Sequence, residues 1–257
     1  QWQVFAVFLR RRFQLDSTQG AGLFWYVADA SLYIAVHVLV FSRVAAMKQE
    51  RLPDYLPPVV AHGAYVCCGI LPWKSLANGG ASGSRAFRAN GTFLRKTPIR
   101  PAFFCLLDAS HQLFQFGMVL LLMFGLLIVL GYRPGAALVQ LPLVLLAHFA
   151  LLLAVSLGCA AVGLFLPAMG TVWGMLSRIM LWTTPIVYPR GVLPRWLVEL
   201  LQWTPLWQLV EAYRDVIARN AFLTPEQWAS LGFAVALCMA LGWLVYETLE
   251  EDLRDFA

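Results

Sequence analysis

The 257-residue chain is 60% hydrophobic and 13% charged, with a mean hydropathy of +0.68. That is more apolar surface than a soluble domain of this length can bury, so a water-soluble globular protein is excluded and an all-helical integral membrane protein is expected. The net charge of +5 is carried largely by short connections, where it sets membrane topology and does not point to nucleic acid.

Residues 1–22 place Trp2, Val4, Phe5, Phe8 and Leu9 on one helical face, followed by Arg10, Arg11 and Arg12. This pattern predicts an amphipathic helix on the cytoplasmic surface, its arginines among anionic headgroups. The sequence begins at Gln1 without methionine, so further N-terminal residues are expected, and the first apolar span serves as the targeting signal. Against ~20 apolar residues per helical crossing, six spans are predicted, at 23–41, 56–73, 102–130, 136–165, 172–187 and 229–246. Pro57, Pro58, His62 and Pro72 interrupt the second, leaving a re-entrant or tilted segment as the alternative.

The connection 74–100 has six basic residues and no acidic ones, so it faces the cytoplasm together with the head of the chain. Six spans then bring the acidic tail 247–257 inside as well. Within the connection, Gly79, Gly80 and Gly83 predict a flexible lead into one short basic helix over 85–95, ended by Pro98. These glycines do not form a phosphate loop, which needs GxxxxGK[ST] after a strand. ATP and Mg are therefore expected on a separate subunit, and this chain carries no cofactor of its own. His37, His62, His111 and His148 are isolated in apolar runs and read as hydrogen-bonded packing groups. Cys67, Cys68, Cys105, Cys159 and Cys238 show no metal spacing and read as small hydrophobes.

Three ionisable residues fall inside predicted spans, where charge is costly. Asp29, Asp108 and Arg178 each lie about 9 to 12 Å from the cytoplasmic start of their span at ~1.5 Å per residue. Equal depth allows Arg178 to pair with Asp29 or Asp108, within one chain or across a dimer; separate snorkelling to the interface is the alternative.

Residues 131–135 form a tight outer turn and 166–170 its inner counterpart. The stretch 184–223 is too broken and too charged to cross a bilayer. Pro185, Pro189, Pro194 and Pro205 cut it into a turn and two amphipathic helices, 195–203 and 206–219. In the first, Trp196, Leu197, Leu200 and Leu201 share a stripe. In the second, Leu206, Leu209, Val210, Tyr213 and Ile217 oppose Glu211, Arg214, Asp215 and Arg219, as in helices that lie at an interface. Thr224 to Gln227 then makes a capping box with proline at the first helical position, so a final helix runs from Pro225 through the last span into the tail.

Four runs carry a family resemblance as an ordered set: GAGLFWYVADA at 20–30, GILPW at 69–73, ANGGASGSRAFRANGTFLRKTPIRP at 77–101, and TPIVY, LPRW and WTPLWQLVEAYRD within 184–215. Together they resemble ABC-2 type polysaccharide export permeases, the channel subunits that export capsule, O-antigen and teichoic acid chains. Thr204 stands where asparagine is common in that family, Ala30 where proline is usual, and the 166–170 turn lacks the usual charge.

The resemblance implies a single transmembrane domain over 1–257 in which the two short helices form an external gate. It also implies that the 74–100 helix docks on an ATPase through Arg85, Arg88, Asn90, Arg95 and Lys96; from charge alone, this segment is an ordinary basic inside loop. Partners implied are two ATPase subunits, a second copy of this chain, membrane lipids and a lipid-linked polysaccharide, in the bacterial inner membrane with both termini cytoplasmic. Rival readings are an ABC-2 permease for a drug or lipid, and a membrane-bound glycan enzyme, for which no catalytic constellation is found.

Aromatic residues make up 14% of the chain, and sugar rings pack on aromatic faces. Trp25, Tyr26, Tyr33, Trp173, Trp182 and Tyr188 are the candidate channel lining. Trp196, Trp203, Trp207 and Tyr213, with Glu211 and Arg214, belong to the expected gate. An interfacial aromatic belt explains the same enrichment without a ligand, and is preferred for Trp73, Trp228 and Trp243.

Overall fold

The computed structural model describes residues 57–96, 100–188 and 190–256, and isolated positions in the first predicted span. The surface helix expected over 1–22, most of the first span, Trp25, Tyr26, Asp29, Tyr33 and His37 lie outside the described residues. Among the described residues the regular structure is helical. The helices are α1 (Pro58–Gly83), α2 (Ala86–Ala89), α3 (Gly91–Lys96), α4 (Ala102–Val129), α5 (Leu141–Phe165), α6 (Met169–Thr183), α7 (Arg195–Leu201), α8 (Pro205–Tyr213) and α9 (Pro225–Phe256).

Among the described residues three segments are long and apolar enough to cross a membrane: Ala102–Val129, Ala136–Phe165 and Pro225–Leu249. They coincide with the third, fourth and sixth predicted spans. The second span corresponds to α1, a continuous 26-residue helix that starts with proline at its first position and passes through Pro72. It is long enough to cross but does not reach the same apolarity. The fifth corresponds to α6, which is 15 residues long and hence roughly 22 Å, short of the ~30 Å hydrocarbon core.

α5 is the central post: α1, α4, α6 and α9 all pack on it. Its contact with α9 is close because Gly242 has no side chain; a Cβ there would stand 2.5 Å from the Ala154 carbonyl oxygen. Small residues that let backbones approach are how membrane helices gain packing energy without a hydrophobic driving force between them. α4 leaves Leu121, Leu126 and Val129 uncovered, exposed by 72%, 61% and 82%. An exposed apolar row of this kind fits contact with lipid tails.

Two expectations for the basic connection need correction. Gly79, Gly80 and Gly83 are helical, forming the last turns of α1, because α5 and α6 pack against them and leave no slack. The single basic helix over 85–95 is instead two short ones, α2 and α3, divided at Asn90. Phe87 is the anchor of α2. It is fully buried in a small cluster with Cys105, Leu157, Ala160 and Tyr246, which fastens the connection to α4, α5 and α9.

Cys67, Cys68, Cys105 and Cys159 are buried, and Cys238 is half-buried; all five are free thiols. His148 sits between α5 and α8, with Nδ1 3.0 Å from the Tyr213 hydroxyl and its ring edge-on to Phe116. That is the hydrogen-bonded packing role its sequence setting predicts.

Candidate functional site

The prolines divide 184–223 as the sequence predicts, but the charges go elsewhere. Pro194 leads into α7, and Thr204-Pro205 opens α8. Beyond Tyr213 the backbone widens into a π-turn over Arg214–Ala218, closed by the Arg219 N–H donating to the Arg214 carbonyl at 2.8 Å. Single π-turns are rare and concentrate at functional positions. This one gathers Arg214, Asp215 and Arg219 beside Glu211.

Arg214 is the centre. Its side chain has no exposed surface, against the expectation that Glu211, Arg214, Asp215 and Arg219 form the polar side of an interfacial helix. The reason is that α1 and the non-helical segment after α6 cover that side and supply partners. Arg214 Nη1 donates to Glu211 Oε1 at 2.9 Å and Nη2 to the Ile186 carbonyl at 2.8 Å. Its guanidinium lies 3.6 Å from the centre of the Tyr65 ring, a cation–π contact in a water-poor setting. Pro185 explains why a carbonyl is free at Ile186: it ends the helical hydrogen-bond ladder there.

Glu211 uses both carboxylate oxygens. Oε1 takes Arg214, while Oε2 takes Arg190 and Arg219, each at 2.9 Å. Burial pushes the Glu211 carboxyl up, but the charges of Arg214, Arg219 and Arg190 outweigh it and hold the pKa down at about 2. Burial also opposes the charge on Arg219, and Glu211 and Asp215 overcome that and raise its pKa. Asp215 Oδ1 accepts from Arg219 at 2.7 Å, and its Oδ2 accepts from Gln227 Nε2 at 2.7 Å.

Gln227 links this network to the last helix. Its Oε1 accepts from the Thr224 N–H at 2.8 Å, and its own N–H donates to Thr224 Oγ1 at 3.3 Å, the reciprocal geometry of a capping box. One connected set of ion pairs and hydrogen bonds thus joins the Arg190 turn, α8, the π-turn and the start of α9. From the other side, Tyr132 donates to the Ile217 carbonyl at 2.6 Å, and Gln140 accepts from the Leu223 N–H at 2.9 Å. The turn after α4 and the segment leading into α5 therefore brace the same region.

A cleft of about 1170 Å³ opens over this network. Its walls include Arg190, Trp203, Trp207, Gln208, Glu211 and Gln227. Trp203 is 66% exposed, whereas Trp207 is buried at 3%, with the Arg190 guanidinium 5.9 Å from its ring centre. Trp196 is also 66% exposed but lies outside the cleft. Of the expected gate residues, Trp207, Tyr213 and Arg214 are therefore core, Glu211 joins the ion network, and Trp196 and Trp203 present free faces. Sequence reading missed Tyr65, Arg190, Asp215, Arg219 and Gln227 as site members. The available signal was the spacing of Glu211, Arg214, Asp215 and Arg219, opposite charges one and two turns apart that neutralise one another.

The channel candidates separate too. The Trp173 indole donates to the Ala77 carbonyl at 2.9 Å and fills the space over Gly80, where a Cβ would stand 2.2 Å from the ring. It clamps α6 to α1. Trp182 is 57% exposed, and its carbonyl accepts from the Tyr188 hydroxyl. Trp73, assigned to the belt, donates to the Ser177 carbonyl at 2.6 Å. Asp108 is fully buried in α4 and accepts from Ser82, while Arg178 is exposed on α6, so among the described residues these two are not paired with each other. In the basic connection Arg85 and Arg88 are exposed, Arg88 reaching the Pro167 carbonyl in the turn between α5 and α6 at 3.3 Å. Asn90 turns its amide onto the Ala86 carbonyl at 2.7 Å. The side chains of Arg95 and Lys96 lie outside the described residues.

Long apolar helices around a short, ion-paired helical insert define a helical integral membrane protein. The chain belongs to the ABC-2 type transporter family, which it matches over residues 3–218; it is a membrane permease subunit, and the family implies an ABC ATPase partner. It is also similar to the O-antigen export system permease protein RfbA of Myxococcus xanthus, at 21% identity over 238 residues, covering 92% of this chain and 86% of that protein.

Proposed function

We propose that this chain is the membrane subunit of an ATP-driven exporter that moves a lipid-linked polysaccharide outward across the bacterial inner membrane. The observation that carries the reading is the similarity to an O-antigen export permease, which extends over 92% of the chain and includes the broken stretch before the last helix. Six spans, with the first and fifth contributed by segments 23–41 and 172–187, place both termini and the basic connection in the cytoplasm. Two copies of the chain pair with two ATPase subunits, which bind ATP and Mg. The exposed Arg85 and Arg88 receive the ATPase, and Phe87 passes its movement to α4, α5 and α9. The helices α7 and α8 form the outer gate, held by the Glu211 network.

Deleting the chain in its source cell and blotting surface and intracellular polysaccharide, beside a complemented strain, tests this. The expected result is polymer lost from the surface and accumulated inside. Unchanged surface polymer overturns the glycan assignment and favours a drug or lipid cargo; polymer missing from both places points to synthesis.

A further inference from the structure

The ion network is not balanced within itself. The guanidinium groups of Arg190, Arg214 and Arg219 share the carboxylates of Glu211 and Asp215, three cations on two anions, which leaves one positive charge over. Arg214 is sealed in and engaged, so a ligand reaches the surplus through Arg190, which is half exposed, and Arg219, which is partly so. Arg190 gives one nitrogen to Glu211, and Arg219 meets both carboxylates through Nη1 alone. A guanidinium has five N–H donors, so both keep donors that no described residue takes up. Arg195 lines the same cleft, exposed and without a carboxylate partner among the described residues. Glu199 and Glu226 are exposed on the walls as well. Water and salt screen exposed charges far more than partly buried ones, so these two reduce the pull on an anion without reversing it.

The second observation is α7, which forms one wall. Its Arg195, Val198 and Glu199 line the cleft, whereas Trp196 and Leu200 do not. With Trp203 those two make a row at positions i, i+4 and i+7, exposed by 66%, 64% and 66%, and no residue of α7 is buried. Trp203 stands at the corner, in the row and on the cleft wall. A short helix with tryptophan and leucine on its outer side and arginine beside them suits the boundary between headgroups and acyl chains. The cleft behind it then opens at the depth where lipid phosphates sit.

We propose that this cleft binds a lipid-borne phosphate, held by Arg190, Arg195 and Arg219, with the lipid chain leaving along the Trp196 row. Guanidinium groups take phosphate oxygens through paired N–H donors, and Arg190 and Arg219 have donors to give without releasing Glu211. The phosphate belongs to a membrane phospholipid or to the lipid end of a cargo; both present the same anion on an apolar chain. The site stands apart from the export reading, since a chain that moves another cargo keeps it.

The test is native mass spectrometry of the full chain in phosphate-free detergent, titrated with dihexanoyl phosphatidylglycerol, geranyl phosphate, inorganic phosphate and hexyl glucoside. Both lipid phosphates are expected to form one-to-one complexes, inorganic phosphate to bind more weakly and hexyl glucoside not at all. Tighter binding of phosphatidylglycerol assigns the site to bulk lipid, and tighter binding of geranyl phosphate to the lipid end of a cargo. Arg195→Gln, at an exposed position outside the ion network, weakens both about tenfold. Glu226→Gln removes an opposing charge and tightens both about twofold. Arg100→Gln, an exposed guanidinium outside the cleft, changes neither. Failure of both lipid phosphates to bind, inorganic phosphate or hexyl glucoside binding as tightly as either, or lipid binding unchanged by both Arg195→Gln and Arg190→Gln overturns the site. The polysaccharide phenotype on deletion is independent of these outcomes and judges the export reading separately.

Discussion

Glu211→Gln is the sharpest probe of the ion network. The carboxylate accepts from three guanidinium groups at 2.9 Å, and only 12% of its side chain is exposed. An amide keeps the shape but loses the charge, and it turns an NH2 toward one of the arginines. The depression of the Glu211 pKa from 4.5 to about 2 corresponds to about 3 kcal/mol at 1.36 kcal/mol per unit. Breaking a buried ion pair by removing one partner costs about 3–5 kcal/mol, so two independent routes agree. At roughly 2–4 °C per kcal/mol for a chain of this size, the apparent melting midpoint in detergent, followed by tryptophan fluorescence, falls by about 10 °C.

The sign with pH follows from the direction of the shift. A depressed carboxylate contributes its full stabilisation above its unfolded pKa, and loses it as pH falls from about 4.5 toward about 2. The gap between wild type and variant is therefore constant near neutrality and closes in acid. A midpoint within about 2 °C of wild type at neutral pH, or a gap that widens on acidification, refutes the account of Glu211 as the hub.

Arg214→Met removes the buried charge that Glu211, Ile186 and Tyr65 surround, and is expected to destabilise by about 3–5 kcal/mol; Arg214→Lys recovers little of this in the same melt, since one ammonium cannot reproduce the fork geometry. Thr224→Ala deletes half of the capping box and lowers stability by about 1 kcal/mol, seen as a small midpoint shift with transport retained. Gly242→Val drives a side chain into the Ala154 carbonyl and destabilises by about 1–3 kcal/mol, measured as loss of folded protein on size exclusion. Arg85→Glu with Arg88→Glu leaves stability within about 0.5 kcal/mol of wild type, as surface changes do. If these arginines receive the ATPase as proposed, the double variant is expected to abolish ATPase pull-down and polymer export.

Much of the fold was legible where a single local rule governs it. The apolar runs at 102–130 and 136–165 became α4 and the segment ending in α5, and Thr224 to Gln227 became the cap it spells. The prolines of 184–223 cut the chain where expected. The site was less legible because its members come from far apart. Arg214 is paired with α1, 149 residues earlier at Tyr65, and helical periodicity alone treats any charge opposite an apolar stripe as solvated. Trp173 misleads in the same way. Its aromatic character suggested a ligand platform, yet Gly80, 93 positions before it, provides the hollow that makes it a clamp. The glycines near the end of α1 read as slack for the same reason; only the neighbouring helices show that their missing side chains make room.

The 32 residues of α9 form one rod about 48 Å long at ~1.5 Å per residue, well beyond the ~30 Å of hydrocarbon it has to cross. One end is tied through Gln227 to Asp215; farther along, Tyr246 packs in the cluster that holds Phe87. Between those two points the rod rests on α5 at the Gly242–Ala154 contact. A tilt of roughly 5° about the Gly242–Ala154 contact, roughly 22 Å along the rod from Gln227, displaces that end by roughly 2 Å. One helix thus carries both the Gln227–Asp215 bond and the Tyr246 packing around Phe87, so the ion network and the basic connection are fastened to the same rod.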